Sequence, residues 1–263
     1  MALHTEIHGS ADGPVVLLSS GLGGSAAYWA RQVPALVEAG FKVIAYDQRG
    51  TGRSRQALPD DYRIEDMALD VAQILDATGT AECHFVGHAL GGLVGLQLAL
   101  DRPGQVRSLT LINAWSEPNP HSSRCFDARL TLLSAAGPRA FVEAQPIFLY
   151  PAVWSAANAE RIRAEVEHAL EHFPGAATMR ARIGALLRFN VTPRLAEIGV
   201  PTLLSVAQDD VLVPSTCSDV LARHLSGAVI HSVAYGAHAH NLTAADDFNQ
   251  ALLAFLRNLE PAL

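Results

Sequence analysis

The chain is poor in cysteine, in charge and in long apolar runs, and each scarcity excludes something. Its 263 residues include three cysteines, Cys83, Cys125 and Cys217. An odd count without any C-x-x-C pair argues against a disulfide framework and against a cysteine zinc site. Charged residues are 17% of the chain and the net charge is −7, with no run of Lys or Arg. Such a balance gives no electrostatic reason to bind nucleic acid or an anionic membrane. No apolar run reaches the ~18 residues that a membrane helix needs. The opening MALHTEIHGSADGP has no charged segment followed by an apolar core, so no signal peptide is expected. A cytoplasmic protein follows by elimination.

What is present is apolar sequence, 49% of the chain, enough for a substantial core. Five short apolar runs read as buried strands: VVLLSSG (15–21), FKVIAYD (41–47), CHFVGH (83–88), LTLINAW (109–115) and PTLLSVAQD (201–209), with AVIHSVAY (228–235) as a sixth. Near-continuous apolarity marks strands covered on both faces. Helical spacing fills the segments between the first four. Strand and helix in alternation predict an α/β protein with a doubly wound, mostly parallel sheet. From Glu117 to Ile198 the alternation stops and several helical patterns follow one another. A helical insertion that leaves and re-enters near strand C-terminal ends is expected to lie over the crevice where such sheets bind ligands. The expected organisation is a core of residues 1–116 and 199–263 with a helical cap at 117–198.

Four segments at strand ends carry chemistry. VGHALGG (86–92) joins a strand to a helix with the spacing of the G-x-S-x-G turn that holds a nucleophilic serine, but its centre is Ala89. The N–H of Leu90, at the helix start, is placed to stabilise a developing oxyanion. SGLGGS (20–25) contains neither G-x-G-x-x-G nor the P-loop pattern, so a phosphate loop is disfavoured. Its Leu22 N–H is the candidate second oxyanion donor. AQDDVLVP (207–214) offers a carboxylate to orient a histidine, and YGAHAHN (235–241) offers the histidine. The H-x-H spacing there invites a metal, but no third ligand and no H-E-x-x-H accompany it, so neither metal nor cofactor is assigned. His88, beside the packed turn, reads as a hydrogen-bonded structural residue close enough to tune a site. In DQRGTGRS (47–54) Asp47 and Arg49 are expected to pair and hold the loop. Trp29, Trp115, Trp154, Phe148 and Tyr150 read as core or cap packing. Arg124 and Arg129 have the chemistry to meet a substrate carboxylate but read more simply as a solvated helix face.

Corner, acid, histidine is the chain order of the α/β-hydrolase triad, and the whole chain resembles an α/β-hydrolase with a helical cap. DQRGTGRS is similar to that family's D-x-R-G-x-G-x-S segment. AQDDVLVP matches its G-x-x-D-x-x-V-P segment, which implies that the acid is Asp210 and not Asp209. YGAHAHN implies that the histidine is His238. Ser20 stands where the oxyanion loop usually has histidine, and Ala89 where the turn has serine. YDQRGTG, VGHALG, VEAQPIFLYPA and HAHNLT resemble more narrowly the aminoacrylate or carbamate hydrolases (RutD-like) of the Rut pathway of pyrimidine degradation. That resemblance implies that the alanine belongs to the group.

Loss of a triad serine costs on the order of 10⁶ in kcat, while the remaining site retains ~10³–10⁴ over water. So small a residue of catalysis is useless on a stable amide and sufficient on a molecule that already falls apart. The expected activity is therefore general acid–base assistance by His238 and Asp210 to a labile carbamate or aminoacrylate, with ammonia released. Two alternatives stand beside it: a non-catalytic binding or scavenging protein on a hydrolase fold, and a serine hydrolase whose nucleophile was exchanged for alanine. The expected partner is a small-molecule substrate, with no nucleic acid and no membrane, and a homodimer is left open.

Overall fold

The computed structural model describes residues 2–260. Seven strands form one sheet: β1 (Thr5–His8), β2 (Val15–Ser19), β3 (Lys42–Tyr46), β4 (Cys83–His88), β5 (Val106–Ile112), β6 (Thr202–Ala207) and β7 (Val229–Val233). Their order is β1-β3-β2-β4-β5-β6-β7. All neighbours run parallel except β1, which lies antiparallel on β3. Six of the strands coincide with the apolar runs. β1 was not expected from its sequence, because TEIH is a short, half-exposed edge strand with no apolar run to mark it.

Along β2 alternate side chains go to opposite faces. Leu17 packs into the larger core with the helices α2 (Ile64–Ala77) and α3 (Leu90–Asp101). Val16 and Leu18 pack into the smaller one, against α1 (Val33–Glu38) and the C-terminal helix Ala245–Leu259. Both faces are thus covered, which explains why the strands read as continuous apolar runs.

Between β5 and β6 the chain forms α4 (Pro120–Ala135), α5 (Gly137–Glu143), α6 (Gln145–Leu149), α7 (Ala152–Ala157), α8 (Ala159–Glu171) and α9 (Ala176–Arg188). The pattern RAFVEAQPIFL, continuous by spacing, is two helices because Pro146 has no N–H to donate within a helix and begins a new one. After β6 come α10 (Thr216–His224) and, following β7, α11 (His240–Thr243) and α12, the C-terminal helix already named.

Successive connections leave β2 in opposite directions, so the sheet has its switch point between β2 and β4, which pair with Ser19 opposite Gly87. Ligands bind α/β sheets at such a crevice. The loop after β2 and the turn after β4 therefore emerge side by side. The contact is close: a Cβ on Gly91 would lie 2.0 Å from the Ser19 carbonyl oxygen, and one on Gly87 would lie 2.4 Å from that of Gly91. Only glycine allows α3 to start this near both strands.

Candidate active site

The VGHALGG turn keeps the backbone of a nucleophile elbow without the nucleophile. Ala89 sits at φ 48° and ψ −111°, immediately before α3. That is sparsely populated ground for a residue with a Cβ and costs on the order of 1–3 kcal/mol. The Ala89 N–H donates to the Ile112 carbonyl at 2.8 Å, which ties the elbow to the end of β5. Leu90 opens the helix, and its own N–H has no protein acceptor among the described residues.

The loop after β2 supplies the facing wall. Its carbonyls are held from outside the cavity. Gln48 Nε2 donates to the Ser20 oxygen at 2.7 Å, and Gly24 N–H to the Gly21 oxygen at 3.0 Å. Arg182, fully buried on α9, donates to the Leu22 oxygen from Nε at 3.2 Å and Nη2 at 3.1 Å. The Gly24 oxygen accepts from Thr51 Oγ1 at 3.0 Å. The Leu22 N–H has no acceptor among the described residues, and Leu22 lines the cavity together with Ala89 and Leu90. DQRGTGRS thus supports this loop through Gln48 and Thr51. The expected Asp47–Arg49 pair does not form. Asp47 turns instead to the Arg53 Nε and backbone N–H, both at 2.9 Å, and to the Ala26 N–H at 2.8 Å. Arg49 reaches α2 and pairs with Asp70. The loop curls so that Arg53, six residues on, returns beside Asp47, whereas Arg49 points away from it toward Asp70 on α2.

Asp210 and His238 are in contact. His238 Nδ1–H donates to Asp210 Oδ2 at 2.7 Å, and both side chains are buried. The other carboxylate oxygen, Oδ1, accepts from the Leu212 and Val213 N–H groups at 2.7 and 2.9 Å. Because an ionised carboxylate only accepts, the proton sits on Nδ1 and His238 Nε2 carries a lone pair. Asp209 has a different task. It accepts from the Gly236 and Ala237 N–H groups at 3.1 and 2.8 Å and shapes the turn that delivers the histidine.

His88 braces that turn. Its Nε2–H donates to the His238 carbonyl at 2.9 Å, and its ring stacks on Tyr28 at 4.9 Å. Burial, foremost, and the neighbouring His238 hold it well below the usual histidine range, so it stays neutral. His240 does not face its H-x-H partner. Asn113 Nδ2 donates to its Nδ1 at 3.1 Å, and its Nε2–H donates to Ser205 Oγ at 2.7 Å. Burial lowers it to about 3. Both histidines bind a proton only on unfolding, so stability is full above the unfolded value near 6.5 and falls as pH drops below it. Each contributes a slope of about 1.4 kcal/mol per pH unit. Urea titrations from pH 6.5 to 5 are expected to show this decline, to which His84, also lowered by burial, adds, and His240→Gln to make it shallower.

Two contributors were invisible in the sequence pattern. Asn113, at φ 45° just past β5, donates to the Ala237 and His238 carbonyls at 3.2 and 2.9 Å and accepts from the Ala207 N–H at 3.0 Å. It read as one more residue of a strand. Arg182 read as one polar residue of a helix. The residue type was the single available hint, since Asn at a strand end is one of the few non-glycine residues that tolerate positive φ.

The cavity above the elbow has a volume of about 450 Å³. Sheet-edge residues Ser20, Leu22, Ala89 and His238 form one side, and the 120–188 stretch supplies Phe126, Arg129, Leu149 and Leu186 from its helices and Tyr150 from the turn after α6 on the other. Of the aromatics read as packing, Trp115 and Tyr150 also border this space. Arg129 is buried rather than solvated: it is 3% exposed. Among the described residues no helix is long and apolar enough to cross a membrane.

Comparison with known proteins agrees with this geometry. Residues 14–241 match the model of the alpha/beta hydrolase fold family. A protein of Variovorax paradoxus named "Putative carbamate hydrolase RutD" is 64% identical over 256 residues, covering 97% of this chain and 96% of that protein. One of the same name from Stutzerimonas stutzeri is 50% identical with the same coverage. Among solved structures, the enol-lactonase of Burkholderia xenovorans superposes with a TM-score of 0.87 at 25% identity, over 97% of this chain and 96% of that one. The chain belongs to the α/β-hydrolase family and, within it, to the RutD group.

Proposed function

We propose that the protein assists the breakdown of a small, spontaneously labile carboxylate of pyrimidine-ring degradation, a carbamate or 3-aminoacrylate, with release of ammonia and without a covalent intermediate. The observation that carries this reading is a complete, oriented His238–Asp210 pair beside an elbow whose centre is a methyl group. The names of the relatives at 64% and 50% identity support the carbamate side of it.

Both substrates break down by proton transfer. In carbamate, a proton reaches nitrogen and the C–N bond breaks, leaving ammonia and carbon dioxide. In 3-aminoacrylate, protonation at C2 gives an iminium. Water adds at C3, and collapse of the adduct expels ammonia and leaves 3-oxopropanoate. One water enters and one ammonia leaves. His238 Nε2 takes a proton from water and passes it to the departing nitrogen, with Asp210 stabilising the charge that forms on the ring. The hydroxide left adds to C3 of the acrylate iminium or joins carbon dioxide as bicarbonate. The C2 proton comes from solvent, and a proton returns to solvent when the adduct's hydroxyl becomes the aldehyde. The Leu22 and Leu90 N–H groups hold an anionic oxygen. The helices of residues 117–198 act as a cap that limits bulk water. The cavity holds such a substrate together with several waters, at ~30 Å³ each.

Ammonia release from freshly generated 3-aminoacrylate or carbamate, with and without protein, tests the reading. Faster release with catalytic protein is expected. A rate equal to that in buffer for both substrates rejects it.

A further inference from the structure

Arg129 is a buried cation that the protein leaves incompletely paired. It projects from α4, is 3% exposed and lies within no salt bridge among the described residues. Its one hydrogen bond is weak, from Nη2 to Gln145 Oε1 at 3.4 Å, and its Nε has no partner. Three rings surround it, with their centroids 5.3, 5.0 and 5.6 Å from the guanidinium carbon, in Phe126, Phe141 and Phe148. Aromatic faces attract a cation, but they do not satisfy the N–H donors in the plane of the guanidinium. Burial lowers its affinity for the proton to about 10, which still leaves it charged at neutral pH.

A second donor lies in the same wall. Trp115 Nε1 is buried without a partner, and the Trp115 ring meets Phe126 edge-on at 6.2 Å. Trp115 and Arg129 flank one phenylalanine and line the cavity that also contains Ala89 and His238. Glu165, the acid bordering this cavity from α8, is already engaged by Arg161 at 2.8 Å and by the Tyr150 hydroxyl at 2.9 Å.

The other buried arginine makes the contrast. Arg182 also lacks a carboxylate, yet its donors meet the carbonyls of Leu22 and Arg49 and the Gln48 side chain. Buried donors in native proteins are generally satisfied in this way. At Arg129 and Trp115 a full positive charge and two buried donors without a protein partner stand in the wall of one cavity, and what is missing is an acceptor of negative charge.

We propose that Arg129 and Trp115 form an anion subsite that binds the substrate carboxylate and restricts the cavity to small carboxylates. The subsite rests on the proposed function for the identity of its ligand, but its existence is tested by binding alone. Propionate and its uncharged counterpart propionamide are the probes, titrated calorimetrically at fixed ionic strength. Wild-type protein is expected to bind propionate at least 10-fold more tightly than propionamide. Arg129→Met is expected to lose at least 10-fold in propionate affinity with propionamide unchanged, and Trp115→Phe to lose a few-fold. Equal binding of both probes by wild-type protein, or an unchanged propionate affinity in Arg129→Met, overturns the subsite. If Arg129→Met does not fold, Arg129→Lys keeps the charge but not the Nε donor. A few-fold weakening in both Arg129→Lys and Trp115→Phe then supports the subsite, and wild-type affinity in both overturns it. Propionate held through Arg129 by a protein that releases no ammonia would reject the proposed function and leave the subsite standing.

Discussion

His238→Ala is expected to bring ammonia release down to the rate in buffer, a loss of about 10²–10⁴-fold in the protein-dependent rate. The argument begins with the tautomer. Asp210 Oδ2 receives the Nδ1 proton at 2.7 Å, so the lone pair is on Nε2, which has no protein partner among the described residues. No other group bordering the cavity has a carboxylate hydrogen-bonded to its ring in this way; His168 on α8 also lines it but is exposed and has no such partner among the described residues. His88 is locked neutral with its Nε2–H on a carbonyl, and Glu165 is held by Arg161 and Tyr150. Asp210→Asn is a sharper variant. An asparagine amide in place of the carboxylate can present N–H to Nδ1, which moves the ring proton to Nε2 and removes the base without removing the ring. The same order of loss is expected, with the fold checked by circular dichroism. Imidazole added to His238→Ala is expected to restore part of the rate, because the 450 Å³ cavity has room for it beside a small acid. Rescue separates a chemical role for His238 from a structural one. If His238→Ala releases ammonia as fast as wild-type protein and both exceed buffer, the pair is not the catalyst. If both equal buffer, the non-catalytic reading of the fold stands.

Residue spacing exposed the parts of this site that depend on local backbone, and concealed those that depend on distant contacts. Strands β2 to β6 were legible because both faces are covered, which leaves a plain apolar run, whereas β7 is a half-exposed edge strand marked by its β-branched residues Val229, Ile230 and Val233. The turns after β6 and β7 marked an acid and a histidine, and the resemblance of AQDDVLVP and YGAHAHN to the family's segments narrowed them to Asp210 and His238. Arg129 was not. An arginine on a helix reads as solvated, and its burial follows from Phe141 and Phe148, which reach it from other helices. Arg182 holds the Leu22 carbonyl across 160 residues of sequence, and no periodicity reports such a contact. The Asp47 and Arg49 pairing was misread for a related reason. Their separation permitted an ion pair, but the curl of the loop decided which arginine came back.

Ala89→Ser is expected to produce a stoichiometric burst of nitrophenol from p-nitrophenyl acetate that wild-type protein lacks. The elbow already holds φ 48° and ψ −111°, the conformation that lifts the central side chain off the sheet, so the serine hydroxyl needs no backbone rearrangement to reach the cavity. Leu22 and Leu90 offer the two N–H donors, and His238 supplies the base. Removal of such a serine costs on the order of 10⁶ in kcat. Its installation in an intact frame is expected to raise esterase activity by at least ~10²-fold, the share belonging to a positioned acid–base group. No burst would mean that the elbow and His238 are out of line. The burst alone does not tell a naturally serine-free enzyme from one in which alanine replaced serine, since both keep the same frame. The labile substrate does. In a site that works through water, the new hydroxyl occupies the space beside His238 Nε2 and takes its lone pair, so ammonia release falls. In a serine hydrolase returned to its working form, ammonia release rises with esterase activity. A fall in one and a rise in the other is the expected pair of results, and it gives the strained alanine a purpose: the turn is kept for the Leu90 amide and the water beside it.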